Sequence, residues 1–395
     1  MRIAFVTDNY KPYVSGVINF ISLNRRYLEA HGHEVWVFAF GDTKTAPPDP
    51  NVVLSPGMRV RGTAGFRLGT ALTRKTHRLL ATMDVVHIDD PFVSGRLALS
   101  VCRRHRVPVV FTNHSRVDLY PDYFLRALPK GSLDQALRSY MRRFCRRVDL
   151  VISPTESVAR VLRGLGVDAP IKVVRNGVDI APFLRVARGF GAADESRASE
   201  RRRLGIAADG VLFAYSGRLS LEKNLPVLVD AFAEVARRVP SAGLVLVGDG
   251  PARRDIEVAV ERAGLSGRVR LTGMVPYDRM PLQLAPCDVW VSASVTEVDP
   301  LTVIEAMAAG LPVVGAAAPG LTDTVEPGIT GLLATPDDAR ALAECMITLA
   351  NDPGLRRTMS DAARAASEHY AIEVTGAAML GIYELLAREA HARRA

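Results

Sequence analysis

The chain of 395 residues has only four cysteines, and no two of them are close in sequence. Cys102, Cys145, Cys287 and Cys345 form no C-x-x-C pair. That excludes a zinc ribbon and a disulfide framework, and it fits a reducing compartment. Each reads as a small buried hydrophobe. Long apolar runs are also missing: stretches such as 244–247 fall far short of the ~20 residues that span a bilayer. The first residues, MRIAFVTDNY, have no extended apolar core and no small-residue cleavage site, so no signal peptide is expected. No G-x-G-x-x-G turn is present, which leaves nicotinamide or flavin binding unsupported. There is neither a collagen-like repeat nor a long heptad run. What is present is ordinary for a globular protein: hydrophobic residues are 48% and charged residues 23%, which excludes a disordered chain. At roughly 100–200 residues per domain, the length suggests two domains, or one large one.

Charge is distributed unevenly. Residues 1–190 carry 29 Lys/Arg against 15 Asp/Glu, a net of +14, and the remainder has a net of −6. A basic half points to an anionic membrane surface or to nucleic acid. The plainer alternative is charge for solubility.

Short apolar runs alternate with helical patterns. Strands are expected at 2–7, 34–38, 85–88, 107–112, 149–152 and 171–174, with helices near 16–31, 69–82, 93–105, 133–147 and 155–165. The pattern restarts with strands at 211–216, 243–247, 269–272, 289–292, 313–315 and 331–333. Its helices fall near 225–239, 252–264, 301–309 and 337–351, and a last helix near 372–392. Repeated β-α alternation means parallel sheets covered on both faces. The expected division is a first domain at 1–183, a linker or surface loop at 184–204, a second domain at 205–371, and a C-terminal helix at 372–395 that packs back on the first domain. The 185–203 stretch, RVARGFGAADESRASERRR, lacks apolar periodicity, hence the linker. Ligands are expected at the carboxyl ends of the strands.

Several strand ends carry chemistry. Gly16 lies between the first strand and a helix, where a backbone can approach a phosphate or sugar closely. In SGRLSLEKN at 216–224, Arg218 and Lys223 follow a strand. Two cations on one loop suit a diphosphate, arginine by chelating oxygens and lysine as a point charge. In EVDPLTVIEAMAAG at 297–310, Pro300 reads as the first helical residue. The free amides there suit an anion. Glu305 lies about 7.5 Å further along the axis, a fit to ribose hydroxyls, and Glu297 precedes the helix on the sugar side. Gly248 in VGDGP and Met274 in LTGMV mark two further strand ends. The bland reading of each, a turn or a solvated charge, stays open on these residues alone.

Together the segments are more specific. The Gly16 loop, NHS at 113–115, SPTESV at 153–158, RNGVD at 175–179, SGRLSLEKN, VGDGP, and the pair Glu297 and Glu305 followed by AMAAGLPVV stand in one order across nearly the whole chain. In this set the chain resembles the retaining glycosyltransferases of family 4. The resemblance implies the GT-B architecture, α/β, with two doubly wound Rossmann-like domains facing a deep cleft. It implies that Arg218 and Lys223 neutralise the donor diphosphate, Glu305 holds ribose, and Glu297 contacts the donor sugar. Amides around Pro300, Leu301 and Thr302 would touch sugar and phosphate, Gly16 would approach the diphosphate, and His114 would lie beside the reacting sugar. The chain has His-Ser where the family usually has His-Thr. Asp299 occupies a position at which the family varies, and it too belongs to the donor set. The donor would be a nucleoside-diphosphate hexose, UDP- or GDP-linked. No cofactor is expected and no metal, Asp89-Asp90 being the nearest imitation of a metal-binding D-x-D motif. Transfer would be retaining, by same-face attack, with the leaving phosphate taking the acceptor proton.

The acceptor is less sharply written. Leu133, Ala136, Leu137, Tyr140, Met141, Phe144, Cys145 and Val148 mark one apolar helix face. Arg138, Arg142, Arg143, Arg146 and Arg147 lie off it and suit anionic lipid headgroups. HSRVDLYPDYF at 114–124 resembles the matching region of diacylglycerol glucosyltransferases, with Tyr120, Tyr123 and Phe124 as acceptor-side residues. The expectation is transfer to a membrane lipid such as diacylglycerol by a cytoplasmic enzyme at the inner face of the membrane. The alternatives are the same chemistry on a soluble sugar, polyol or secondary metabolite, a sugar-nucleotide epimerase of the same fold, and a non-enzymatic protein that binds anionic membranes. No basic-aromatic module for nucleic acid is evident.

Overall fold

The computed structural model describes residues 1–11, 13, 15–43, 49–60, 66–119, 130–189, 195–204, 206–207 and 210–394, with backbone alone at 130–132, 195–196 and 394. The chain divides into two compact units, Met1–Gly177 with Ile372–Ala395, and Val178–Ala371.

The first unit runs β1 (Arg2–Asn9), α1 (Gly16–Ala30), β2 (Glu34–Gly41), β3 (Val52–Arg59), β4 (Arg67–Gly69), α2 (Arg74–Leu80), β5 (Val85–Ile88), α3 (Ser94–His105), β6 (Val109–Thr112), α4 (Lys130–Cys145), β7 (Leu150–Ser153), α5 (Glu156–Gly164) and β8 (Ile171–Val173). The sheet order is β4-β3-β2-β1-β5-β6-β7-β8. Its strands are parallel, except that β3 and β4 pair antiparallel. Strand β1 reads as a continuous apolar run because it is buried on both faces. Ile3 and Phe5 enter one core, and Ala4 and Val6 enter the other. Ser15 starts α1 by accepting from the Ile18 amide, the usual way to satisfy an orphan donor.

The second unit holds α6 (Ala181–Gly189), α7 (Glu195–Arg203), β9 (Leu212–Ser216), α8 (Leu225–Arg238), β10 (Gly243–Val247), α9 (Arg253–Arg262), β11 (Val269–Gly273), α10 (Met280–Leu284), β12 (Val289–Ser292), α11 (Leu301–Ala308), β13 (Val313–Ala316), β14 (Gly331–Ala334), α12 (Ala339–Asn351) and α13 (Pro353–Ser367). Its sheet is parallel, ordered β11-β10-β9-β12-β13-β14. Again one strand feeds two cores: Phe213 and Tyr215 face one, Leu212 and Ala214 the other. The last helix, α14 (Ile372–Arg394), belongs to the first unit, where Met379, Ile382 and Tyr383 join the core beside Ile3 and Phe5.

Three differences from the sequence expectation have physical causes. The 184–204 stretch is not a bare linker, because α6 and α7 occupy most of it and the units part at Gly177 and Val178. Phe183 anchors α6 in an apolar core. Helix α7 is anchored instead by Arg201, 2% exposed. Arg201 pairs with Asp288 at 2.8 Å and donates to the Pro286 and Gly210 carbonyls. A buried ion pair leaves no apolar periodicity to read. Strands β3 and β4 were also missed, since Pro56 and Gly57 interrupt β3 and both lie at the outer end of the sheet.

Candidate active site

In the second unit, the chain runs from β9 outward through β10 to β11, then crosses back to place β12 on the other flank of β9. That reversal is a topological switch point, where ligands of open α/β sheets bind beyond the carboxyl ends of the strands. The loop after β9 carries Arg218, which is exposed, and Lys223. The loop after β12 carries Glu297 and Asp299 and leads into α11.

The two loops are joined. Lys223 Nζ lies 2.7 Å from Glu297 Oε1, with side chains 22% and 14% exposed. The Thr296 hydroxyl donates to the Glu222 carbonyl at 3.2 Å, and the Ser220 hydroxyl to the Glu222 carboxylate at 2.6 Å. Beneath them, the Trp290 indole N–H donates to Ser216 Oγ at 3.0 Å, and its ring stacks on Tyr215. These side chains are buried, so they fix the loop bases against the sheet.

The loops after β9, β10 and β11 are tied by backbone bonds. The Gly217 amide donates to the Val247 carbonyl and the Leu219 amide to that of Asp249, at 2.9 and 3.0 Å. The Gly248 amide donates to Gly273 at 3.1 Å. Gly248 has φ +138°, and a Cβ there would meet the Gly217 carbonyl oxygen at 2.0 Å. Only glycine permits that crossing. Gly248 is therefore required by packing, whatever ligand the loop meets. Met274, 64% exposed, stands just past β11.

Pro300 is the N-cap of α11 rather than its first residue, and helical backbone starts at Leu301. Having no N–H, it leaves donation to the amides that follow. Thr302 is half-buried, while Asp299 and Leu301 are buried. Glu305, one turn on, is 3% exposed. Burial raises its carboxyl from the ordinary value to about 8, with the Tyr277 phenol opposing part of the rise. It is therefore largely protonated at neutral pH.

The first unit has its own switch point, between β1 and β5. Gly16 opens α1 there, and a Cβ on it would meet no atom within 4 Å. The packing of the protein itself does not demand glycine at that place. Asp8 Oδ1 accepts from the Ser94 amide at 2.8 Å. Asp90 Oδ2 accepts from the Thr7 hydroxyl at 2.7 Å and the Asp8 amide at 2.8 Å. Burial, then the neighbouring Asp90 charge, raises Asp8 to about 6. After β6, His114 Nε2 lies 2.9 Å from Asp89 Oδ1, and its ring meets Phe20 edge-on with centroids 4.7 Å apart.

The expected residues thus fall into two groups. Arg218, Lys223, Gly248, Met274, Glu297, Asp299, Pro300, Leu301, Thr302 and Glu305 stand at the strand ends of the second unit, whereas Gly16 and His114 stand at those of the first. Tyr120, Tyr123 and Phe124 lie outside the described residues. Arg138, Arg142, Arg143, Arg146 and Arg147 are all exposed, on α4 or just beyond it. Two of these arginines are engaged: Arg138 donates to the Gly164 carbonyl at 2.6 Å, and Arg146 grips Asp168 with two nitrogens. Met141, Phe144 and Cys145 bury the apolar face, but Ala136, assigned to it, is exposed. Sequence reasoning missed Asp89 as the partner of His114. The signal was the Asp89-Asp90 pair at a strand end, read only as a failed metal motif.

Comparison with known proteins bears on the chain as a whole. Residues 14–181 match the family described as Glycosyltransferase Family 4, and residues 196–366 match Glycosyl transferases group 1. The alpha-monoglucosyldiacylglycerol synthase of Acholeplasma laidlawii is 27% identical over 95% of this chain and 94% of its own. The sulfoquinovosyl transferase SQD2 of Arabidopsis thaliana is 30% identical, over 93% and 70%. The 2-deoxystreptamine glucosyltransferase of Streptomyces kanamyceticus is also 30% identical, over 75% and 76%. Among solved structures, Anabaena HepE in complex with UDP superposes with a TM-score of 0.77 at 24% identity, over 97% of this chain and all of that one. That likeness shows a shared fold.

Proposed function

The chain belongs to the glycosyltransferases of group 1 and family 4, and from that membership we propose retaining, metal-independent hexosyl transfer to a lipid hydroxyl. The observation that carries the donor half is the Lys223–Glu297 pair, with buried Glu305 nearby, at the switch point of the second unit. Arg218, Lys223 and the amides at Leu301 and Thr302 meet the diphosphate of a UDP- or GDP-linked sugar. Glu305 takes the ribose hydroxyls, Glu297 and Asp299 the sugar, and Gly248 and Met274 lie toward the base. His114 and Gly16 keep the roles that the family resemblance gives them.

In the reaction, the bond from the anomeric carbon to the phosphate oxygen breaks while the acceptor oxygen bonds to that carbon on the same face. The acceptor proton passes to the leaving phosphate. Negative charge grows on the diphosphate, and fixed cations stabilise it more in the transition state than in the ground state. Two cationic side chains and a helix start do there what a divalent ion does elsewhere.

Support for a lipid acceptor comes from two relatives described as alpha-monoglucosyldiacylglycerol synthases, with diacylglycerol the acceptor we favour. Among the described residues no helix is long and apolar enough to cross a membrane. We place lipid contact on the exposed arginines of α4, at about 1 kcal/mol per basic residue near an anionic surface. Four free cysteines support a site on the cytoplasmic face. A soluble acceptor is the second reading, favoured by the similarity to the 2-deoxystreptamine enzyme.

The test is release of nucleoside diphosphate from a panel of UDP-, GDP- and ADP-sugars, with and without anionic vesicles containing diacylglycerol. Vesicle-dependent release from one donor, unchanged by a chelator, is the expected result. Release that ignores vesicles moves the acceptor to soluble molecules and returns the arginine face to plain solvation.

A further inference from the structure

The active-site histidine is connected to the far end of the chain. His87, on β5, is buried in an aromatic wall, stacked on Phe5 with centroids 5.2 Å apart and edge-on to Phe20 at 5.8 Å. Its Nδ1 lies 2.6 Å from the Tyr383 hydroxyl on α14, and its Nε2 lies 2.6 Å from Thr112 Oγ1 on β6. That same Nε2 is 3.8 Å from Asp89 Oδ1, the oxygen that meets His114 Nε2 at 2.9 Å. Among the described residues the other Asp89 oxygen is buried with no hydrogen-bond partner, and the contacts to this carboxylate from the two histidines arrive at Oδ1.

The protons on this chain of groups can be assigned from donor strength. A neutral imidazole carries one N–H, and the nitrogen that bears it is set by the partner of the other. Burial keeps His87 neutral, reinforced by the nearby His114. A phenol is a stronger donor than an imidazole N–H, and leaving its proton buried and unpaired is costly. Tyr383 therefore donates to Nδ1, and the His87 proton sits on Nε2. There it faces Thr112 and presents its positive end to Asp89 Oδ1. That opposes the burial and the Asp90 charge, which push the Asp89 carboxyl well above the usual carboxylate range, and an Asp89 so held ionised accepts from His114 Nε2–H and leaves His114 Nδ1 as the acceptor nitrogen. In the opposite His87 tautomer a lone pair would face Asp89, driving it to take a proton and donate to His114 Nε2. His114 would then carry its proton on Nδ1.

We propose that Tyr383, delivered by the C-terminal helix, is a positioning residue for His114, acting through His87 and Asp89 to select which ring nitrogen carries the proton. The consequence for turnover rests on the proposed role of His114 beside the reacting sugar, but the tautomer itself does not. A buried carboxylate that fixes the tautomer of a reactive imidazole has a known catalytic value. Here the selection begins one histidine earlier.

Side-chain ¹⁵N NMR of the full chain, without substrate, tests this directly. In the wild type His87 and His114 should both show the Nε2–H signature. Tyr383→Phe lifts the bar to a proton on His87 Nδ1, while the Thr112 hydroxyl can turn to donate to Nε2, so the His114 signature should change from Nε2–H alone to a mixture of the two tautomers, and kcat should fall about twofold with the donor KM unchanged. Thr112→Val removes the other His87 partner but leaves the phenol, so it should leave the His114 signature as it is. A wild-type His87 protonated on Nδ1 would overturn the proposal without any variant, so a Tyr383→Phe chain that fails to fold does not rescue it. An unchanged His114 signature in a folded Tyr383→Phe protein overturns it equally. Absence of transferase activity with the expected tautomers would count against the functional reading and leave the relay standing.

Discussion

Lys223→Ala should lower kcat by roughly 10²- to 10³-fold, the range found when one electrostatic stabiliser is removed from a developing anion. The lysine has two partners in the account. In the free protein its ammonium is 2.7 Å from Glu297, and in the proposed reaction it meets the leaving diphosphate. Alanine removes the cation and leaves a poorly exposed carboxylate beside the place where negative charge must grow. Both changes oppose the transition state. Steady-state kinetics on the preferred donor measure the effect, with Arg237→Ala as a control, since that side chain is exposed on α8 and, among the described residues, its ion pair is with Glu234 in its own helix. A fall below tenfold for Lys223→Ala would remove the lysine from the diphosphate site.

Glu305→Gln should flatten the pH dependence of stability between about 4.5 and 8. The carboxyl is held near 8 in the folded chain against an ordinary value of 4.5. Below pH 4.5 it is protonated in both states, and its contribution is fully present. Between the two values the unfolded chain releases the proton while the folded chain keeps it, so stability falls as pH rises. Above about 8 both states are ionised and the slope ends. At 1.36 kcal/mol per unit, the span amounts to at most roughly 5 kcal/mol. Glutamine keeps the shape and cannot titrate. Denaturant unfolding at intervals from pH 4.5 to 8.5 measures the difference between the two proteins. Parallel curves would mean that Glu305 is ionised in the folded chain.

Both groups were legible in the sequence for a physical reason. Lys223 and Glu297 sit in loops past strands whose apolar runs announce them, because central parallel strands are buried on both faces, and Glu305 sits inside the helix that follows the second of those loops. The pairing of Lys223 with Glu297 was not legible. It joins loops 74 residues apart, and it exists only because β9 and β12 become neighbours when the chain reverses direction. The relay from Tyr383 was further out of reach, spanning 296 residues to His87. Helix α7 hid for another reason: its anchor, Arg201, looks like a solvated charge until Asp288 is placed beside it. Apolar pattern locates elements, but it cannot report which polar groups meet once they are assembled.

The most direct test of the central claim follows the sugar itself. The chain is incubated with UDP-glucose and anionic vesicles containing diacylglycerol, the lipids are extracted, and the anomeric configuration of any new glycolipid is read by proton NMR. The account predicts an α-linked glucolipid, retaining the configuration of the donor. A β-linked product would contradict same-face transfer. Glucose that reaches only water-soluble molecules would contradict the lipid acceptor.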